Sequence, residues 1–123
     1  MTFVEAIQSG FRNYVNFSGR APRSEYWFWT LFVLLLVIVT SIIDYIITGG
    51  SGFNPITLIV ELALFLPGLA VSVRRLHDRD KSGWFLLLFL IPLVGAIILL
   101  VWYCQRGTIG PNRFGPDPLE GMV

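Results

Sequence analysis

The chain has 123 residues, of which 54% are hydrophobic and only 14% charged, with a formal net charge of +1 and one cysteine. A soluble domain carries about 25% charged residues, and a chain this short leaves too much surface in water to hide so many apolar side chains in one core. These values exclude a water-soluble globule, an electrostatic nucleic-acid binder, an internal disulfide and a cysteine-based zinc site, and leave a single all-α integral membrane domain over residues 1–123.

In chain order, residues 1–25 place Phe3, Ile7, Phe11, Tyr14 and Val15 on one helical face with Glu5, Gln8 and Arg12 opposite, which predicts a short interfacial helix. That helix either packs on the rest of the protein or lies on the membrane surface, and its polar face is not rich in Lys or Arg. Polar and apolar residues interleave here, unlike the charged start and apolar run of a secretory signal, so no cleavage is expected. Residues 26–43 carry no charge and form the first expected span, long enough for a hydrocarbon core of about 30 Å. Asp44 and Gly49-Gly50-Ser51-Gly52 read as a turn, closed by Asn54-Pro55 with the proline in the first turn of the next helix. Residues 56–73, interrupted only by Glu61 and Pro67, form the second span.

The stretch Arg74 to Gly83 is densely charged and reads as a short loop in water. Ser82 is placed to cap residues 84–103, an uncharged run that forms the third span. The tail, 104–123, is rich in glycine and proline and is expected to be irregular. Pro67 and Pro92 each remove a backbone hydrogen bond, freeing the carbonyls of Ala63 and Leu88 and kinking their spans. Gly68 and Ser72 offer a face where another helix can approach closely.

Lys and Arg number three before the first span, none in 44–55, four in 74–83 and two in the tail. Three spans with a cytoplasmic N-terminus keep the larger share inside and put Cys104 at the outer end of the third. The alternative is a third span that breaks at Pro92 and Gly95 and turns back, leaving the C-terminus inside. Half-spans of that length require shelter from neighbouring protein.

Four ordered motifs then stand out: Phe17-x-Gly19-Arg20-x-x-Arg23-x-Glu25-Tyr26-Trp27; Arg74-Arg75-Leu76-His77-Asp78 with Ser82-Gly83-Trp84; Ile91-Pro92-x-x-Gly95; and Gly110-x-Asn112-Arg113-Phe114-Gly115-x-Asp117-Pro118. Over nearly the whole chain this pattern resembles the bacterial inner-membrane family named domain of unknown function 805. The resemblance implies a small multi-spanning protein of the bacterial cytoplasmic membrane and carries no catalytic residue with it.

Two groups of residues are candidates for a site. Arg20, Arg23, Glu25, Arg74, Arg75, His77 and Asp78 form a cytoplasmic-face charge cluster. Its arginines either anchor the inner span ends while Glu25 and Asp78 pair with them, or converge on an anionic group such as a lipid phosphate. Glu25 and Asp78 are expected within ion-pair reach of these arginines. His77 has no clustered co-ligand for a metal and no nucleophile in sequence company, and reads as a structural histidine whose tautomer Asp78 holds. Within the membrane, Glu61 is the ionisable residue well inside a span, and it is expected to face the interior and bond to Thr40, Ser41 or Thr57.

The function expected from these readings is a non-enzymatic membrane component without a cofactor. It would act through lipid, a second copy or another membrane protein. The alternative is a small transporter or channel formed by oligomerisation, with Glu61 in its pathway.

Overall fold

The computed structural model describes residues 1–119; residues 120–123 of the expected tail lie outside the described residues. The regular elements of the described residues are all helical, the tail after Cys104 is irregular as expected, and the sole β feature there is an isolated bridge between Asn112 and Gly115. Helix α1, Phe3–Arg12, starts on a capping box in which the Thr2 hydroxyl accepts from the Glu5 amide and Glu5 accepts from the Thr2 amide, satisfying two donors that have no partner within the helix. Its seat on the rest of the protein is the small-residue face Ala6, Ser9 and Gly10. A Cβ on Gly10 would lie 2.3 Å from the Trp29 ring, so only glycine lets the two helices approach this closely. Phe11 and Val15 stay exposed.

Helix α2, Arg23–Thr48, is longer than the expected first span because Asp44 does not end it. Asp44 turns inward instead, and the helix runs on to Gly49, a left-handed C-cap with φ 66°. At 1.5 Å per residue its 26 residues reach about 39 Å, enough to cross a bilayer core. Helix α3, Pro55–Asp78, returns antiparallel to it with Pro55 in the first turn. Pro67 frees the Ala63 carbonyl as expected, and the Tyr14 hydroxyl reaches in to donate to that oxygen.

Two expectations from the sequence are corrected here. Arg74 to Asp78 do not lie in a solvated loop. They form the last turns of α3 and are all buried, because each charge among them meets a partner from another segment. The turn proper is confined to the residues that follow, with Asp80 at φ 58°. The third expected span, 84–103, is not one helix. A 3₁₀ segment, Gly83–Leu90, capped by the Ser82 hydroxyl, is followed by a break at 91–93 and a separate helix α4, Val94–Cys104. Pro92 cannot continue a helix, Leu93 turns through φ 64°, and a Cβ on Gly95 would stand 1.6 Å from the Leu88 carbonyl oxygen. The chain therefore doubles back on itself there, and only glycine fits where the two limbs touch.

The return of α4 carries Trp102, Tyr103 and Cys104 to the end where α2 begins and α3 ends. Tyr103 packs on Tyr26 at 4.3 Å, its carbonyl accepts from the Trp27 indole at 3.0 Å, and Lys81 stands over the Trp102 ring. These residues and Cys104 do not lie at the outer rim assigned to them by a continuous third span. The core has two parts: Trp29, Leu64, Val71 and Ala21 between α2 and α3, and Leu76, Leu99 and Tyr103 where α4 closes against α3.

Candidate functional site

The charged end is assembled from the chain before α2, the last turns of α3 and the tail after α4. Asp78 sits between two guanidinium groups: Arg20 donates to its Oδ1 at 2.9 Å and Arg75 to its Oδ2 at 2.8 Å, with all three side chains at most 2% exposed. The rest of each fork goes to backbone carbonyls of the tail. Arg20 donates to the carbonyls of Thr108 at 2.6 Å, Gly110 at 2.7 Å and Gly115 at 3.2 Å. Arg75 donates to those of Trp102, Tyr103 and Gln105. Planar guanidinium suits this work because its donors diverge toward several acceptors at once. Beside this triad, Arg74 pairs with Glu25 at 2.6 Å, and Glu25 also accepts from the Ser9 hydroxyl at 3.0 Å, which ties α1 to the cluster. The Arg74 Nε and Nη2 atoms are buried without a partner.

His77 bonds through Nδ1 to the Gly19 carbonyl at 2.9 Å. A carbonyl only accepts, so Nδ1 carries the proton. The expectation that Asp78 holds the ring is thereby corrected, since both carboxylate oxygens of Asp78 are committed to arginines. The imidazole stacks on Phe114 at 3.9 Å with the planes 2° apart, and the Asn112 amide donates to the His77 carbonyl at 2.9 Å. Gly107 passes over Asp78 so closely that a Cβ would lie 2.0 Å from Oδ2, and the Thr108 amide donates to the Asp78 carbonyl at 2.6 Å. Asp117 folds the tail upon itself. It accepts from the amides of Leu119 and Gly110, both at 2.9 Å, and from Arg106 at 3.3 Å, and these donors, the Leu119 amide first, hold its carboxyl below the usual aspartate range. Arg23 is the exception among the predicted arginines: it is exposed and spends Nη1 on the Cys104 carbonyl at 3.1 Å.

The intramembrane group divides differently. Thr40, Ser41 and Thr57 do meet, with the Thr57 hydroxyl 3.0 Å from Thr40 and 3.4 Å from Ser41. The carboxylate among them belongs to Asp44, not to Glu61. Asp44 is fully buried and accepts from the Ile56 amide at 3.1 Å, the Thr57 amide at 2.9 Å and the Thr57 hydroxyl at 2.9 Å. It caps α3 from the neighbouring helix, a role that Asn54 leaves open. Glu61 is exposed and lines a lateral groove with Phe65, Gly68 and Ser72. The stripe Thr57-Leu64-Val71 faces α2, and Glu61 falls to its side at helical spacing.

A family model described as protein of unknown function (DUF805) matches residues 14–116. The chain belongs to this family. Inner membrane protein YhaH of Escherichia coli strain K12 is 48% identical over 111 residues, covering 87% of this chain and 90% of its own length. Inner membrane protein YhaI of the same strain is 46% identical over 110 residues, covering 89% and 92% respectively. Uncharacterized protein YiiR of that strain is 30% identical over 103 residues, covering 79% and 68%. No solved structure matches. The chain is thus a membrane protein of a bacterial inner-membrane family.

Within this DUF805 chain the ordered motifs meet at one place. Gly19, Arg20 and Glu25 of the first, Arg74 to Asp78 of the second, and Gly110, Asn112, Phe114, Gly115 and Asp117 of the fourth all contribute to the charged end, while Pro92 and Gly95 of the third form the break that brings the tail back to it. Residues missed from sequence are Ser9, Gly107, Thr108 and Asp44. Ser9 and Gly107 leave no periodic signal. Asp44 stands thirteen residues before Thr57, and a polar residue directly beneath a Gly-rich turn is the one hint the sequence offers.

Proposed function

We propose that this chain is a non-enzymatic inner-membrane component that acts by binding another membrane protein or further copies of itself. The observation that carries this reading is how the charged groups are used. Arg20, Arg74, Arg75, Glu25 and Asp78 are buried against one another and against backbone, so most of their polar chemistry is already occupied in joining chain segments. The long apolar helices, by contrast, offer wide exposed faces: Leu34, Leu35, Ile38, Val39 and Ile42 on α2, and Ile59, Leu62 and Leu66 on α3.

The break at 91–93 supports two crossings, α2 and α3, with the 3₁₀ segment and α4 as a re-entrant pair, in place of three crossings. The 11 residues of α4 reach about 17 Å, well short of the hydrocarbon core. With the tail returned, every Lys and Arg from Arg20 onward belongs to the charged end, and residues 49–54 carry none. That distribution supports a cytoplasmic charged end with both termini inside. Affinity isolation of the full chain from native membranes after in-membrane cross-linking tests the reading. A reproducible protein partner or a homo-oligomer, lost when Leu35 and Ile42 are replaced by bulkier tryptophan, is the expected result; a chain recovered as a monomer with no protein cross-link contradicts it.

A second reading, a transporter or channel formed by oligomerisation, has the exposed Glu61 in its favour, since a carboxyl on an unshared groove wall within a span is a candidate pathway residue. Glu61→Gln keeps the shape and loses the titration. Ion or proton flux across vesicles containing the wild type, abolished in that variant, would support the pore; equal flux in empty and loaded vesicles would remove it.

A further inference from the structure

The groove that Glu61 borders has a shape and a polar pattern beyond any pore role. It is about 710 Å³ in volume and runs between α2 and α3, with Leu86 and Phe89 of the 3₁₀ segment along one side. On α2 its wall is Tyr26, Thr30, Val33 and Val37, a stripe about 16 Å long at helical rise. A lateral groove of that length, walled almost wholly by apolar side chains, suits one extended hydrocarbon chain.

One polar feature lies on it and a second stands beyond its end. Trp29 is 2% exposed, and its indole N–H has no acceptor among the described residues although the side chain lines the groove. The ring is fixed in this orientation from behind: its six-membered edge packs on Gly10, while Nε1 points toward Gly68 on the opposite wall, 3.7 Å from where a Cβ there would be. A buried donor without an acceptor is costly unless something else supplies one. One turn before Tyr26 on α2, beyond the residues that line the groove, is the exposed Arg23, whose Nη1 donates to the Cys104 carbonyl and leaves the rest of its guanidinium for another acceptor. It lies about 9 Å along the axis from Trp29.

We propose that the groove holds one acyl chain of a glycerophospholipid, with the ester carbonyl accepting from Trp29 Nε1 and the phosphate at Arg23. The order of cation, buried N–H and apolar channel from rim to membrane interior repeats the order of phosphate, ester and hydrocarbon in such a lipid, and guanidinium is suited to phosphate. Glu61 stands on the rim at the deep end and is not a ligand of the polar part. The site is independent of whether a protein partner binds the outer faces of α2 and α3.

The test uses the full chain in vesicles of phosphatidylethanolamine and phosphatidylglycerol that contain a phospholipid with a diazirine in one acyl chain. After illumination the label is expected on Val33, Val37, Phe65 and Phe89 in preference to the outward-facing Leu35 and Ile42. Trp29→Phe, by losing one hydrogen bond, should lower groove labelling about fivefold. Arg23→Ala should lower it to a similar degree, and Gly68→Leu, which fills the channel, should abolish it while labelling at Leu35 persists as the control for folding. Glu61→Gln should leave it unchanged. Equal labelling of groove and outer face, indifference to Gly68→Leu, cross-links from the groove to a second copy, or equal labelling by a free fatty acid bearing the same diazirine would each overturn the proposal.

Discussion

Asp44 and Asp78 are both buried carboxylates at opposite ends of the same helix pair, and they are satisfied by opposite means. Asp78 is held by two arginines, and the other donors of Arg20 reach 88 to 95 residues along the chain. Asp44 has no cation and accepts from the amides of Ile56 and Thr57, across a turn 12 and 13 residues away. The first arrangement joins segments far apart in sequence, and with the His77–Phe114 stack and the Asn112 and Thr108 hydrogen bonds it holds a tail that has no helix of its own to pack. The second only sets how two continuous helices meet. Damage at Asp78 should therefore spread through the molecule, and damage at Asp44 should stay where it is made.

The largest expected effect follows from that contrast. Asp78→Ala leaves Arg20 and Arg75 buried without their anion, a loss of about 3–5 kcal/mol, and the tail should detach together with the start of α2. Thermal or denaturant unfolding in mild detergent, with proteolysis at the tail as the second readout, checks this. The Glu25 and Arg74 pair sharpens it: Glu25→Ala should be strongly destabilising, while Glu25→Leu combined with Arg74→Met should recover most of the loss, since a buried pair replaced by apolar residues is often close to neutral. Next in size is Gly107→Ala, whose methyl would overlap Asp78 Oδ2 and force the tail away, at about 1–3 kcal/mol.

Asp44→Ala should affect a smaller region. Hydrogen exchange is expected to rise at Ile56, Thr57 and the first turn of α3, with the amides near Asp78 unchanged; a response at both ends would remove the distinction between them. The smallest effect is a pH dependence in the tail. The carboxyl of Asp117 is held below its ordinary value near 3.9, so its stabilisation is fully present above that value and is lost as pH falls through the lowered folded value. Protection of the Gly110 and Leu119 amides, taken relative to the intrinsic exchange rate at each pH, should thus be constant above about pH 4 and fall below it; loosening that begins near neutrality would contradict the assignment.

The helical class, the membrane setting and both long apolar helices are legible in the sequence, because runs of that length with at most one charge suit a hydrocarbon core and little else. The meeting of Glu25 and Asp78 with the arginines is legible too, since an antiparallel helix pair must place residues 25 and 74 at one end. Elsewhere the sequence misleads for identifiable reasons. Charge density from Arg74 to Asp78 suggests solvent exposure, yet those charges are paired and buried. The run from 84 to 103 is apolar enough for a span, and only Pro92 with Gly95 signals that it folds back. Glu61 stands out as the mid-span carboxyl, while Asp44, at the helix end, is the one that the hydroxyls satisfy.

The proposed arrangement puts the tail and the charged ends of both long helices on one side of the membrane, and impermeant thiol labelling of intact cells decides it. Cys104 is replaced by serine, and single cysteines are placed at Ile109 and at Ser51, both exposed. The cysteine at position 51 is expected to react from outside, and the one at position 109 only after the cytoplasmic membrane is permeabilised. Labelling of both positions in intact cells would mean that the 84–103 segment crosses the membrane, and labelling of the Ile109 position alone would mean that the orientation is reversed; either result overturns the proposed arrangement.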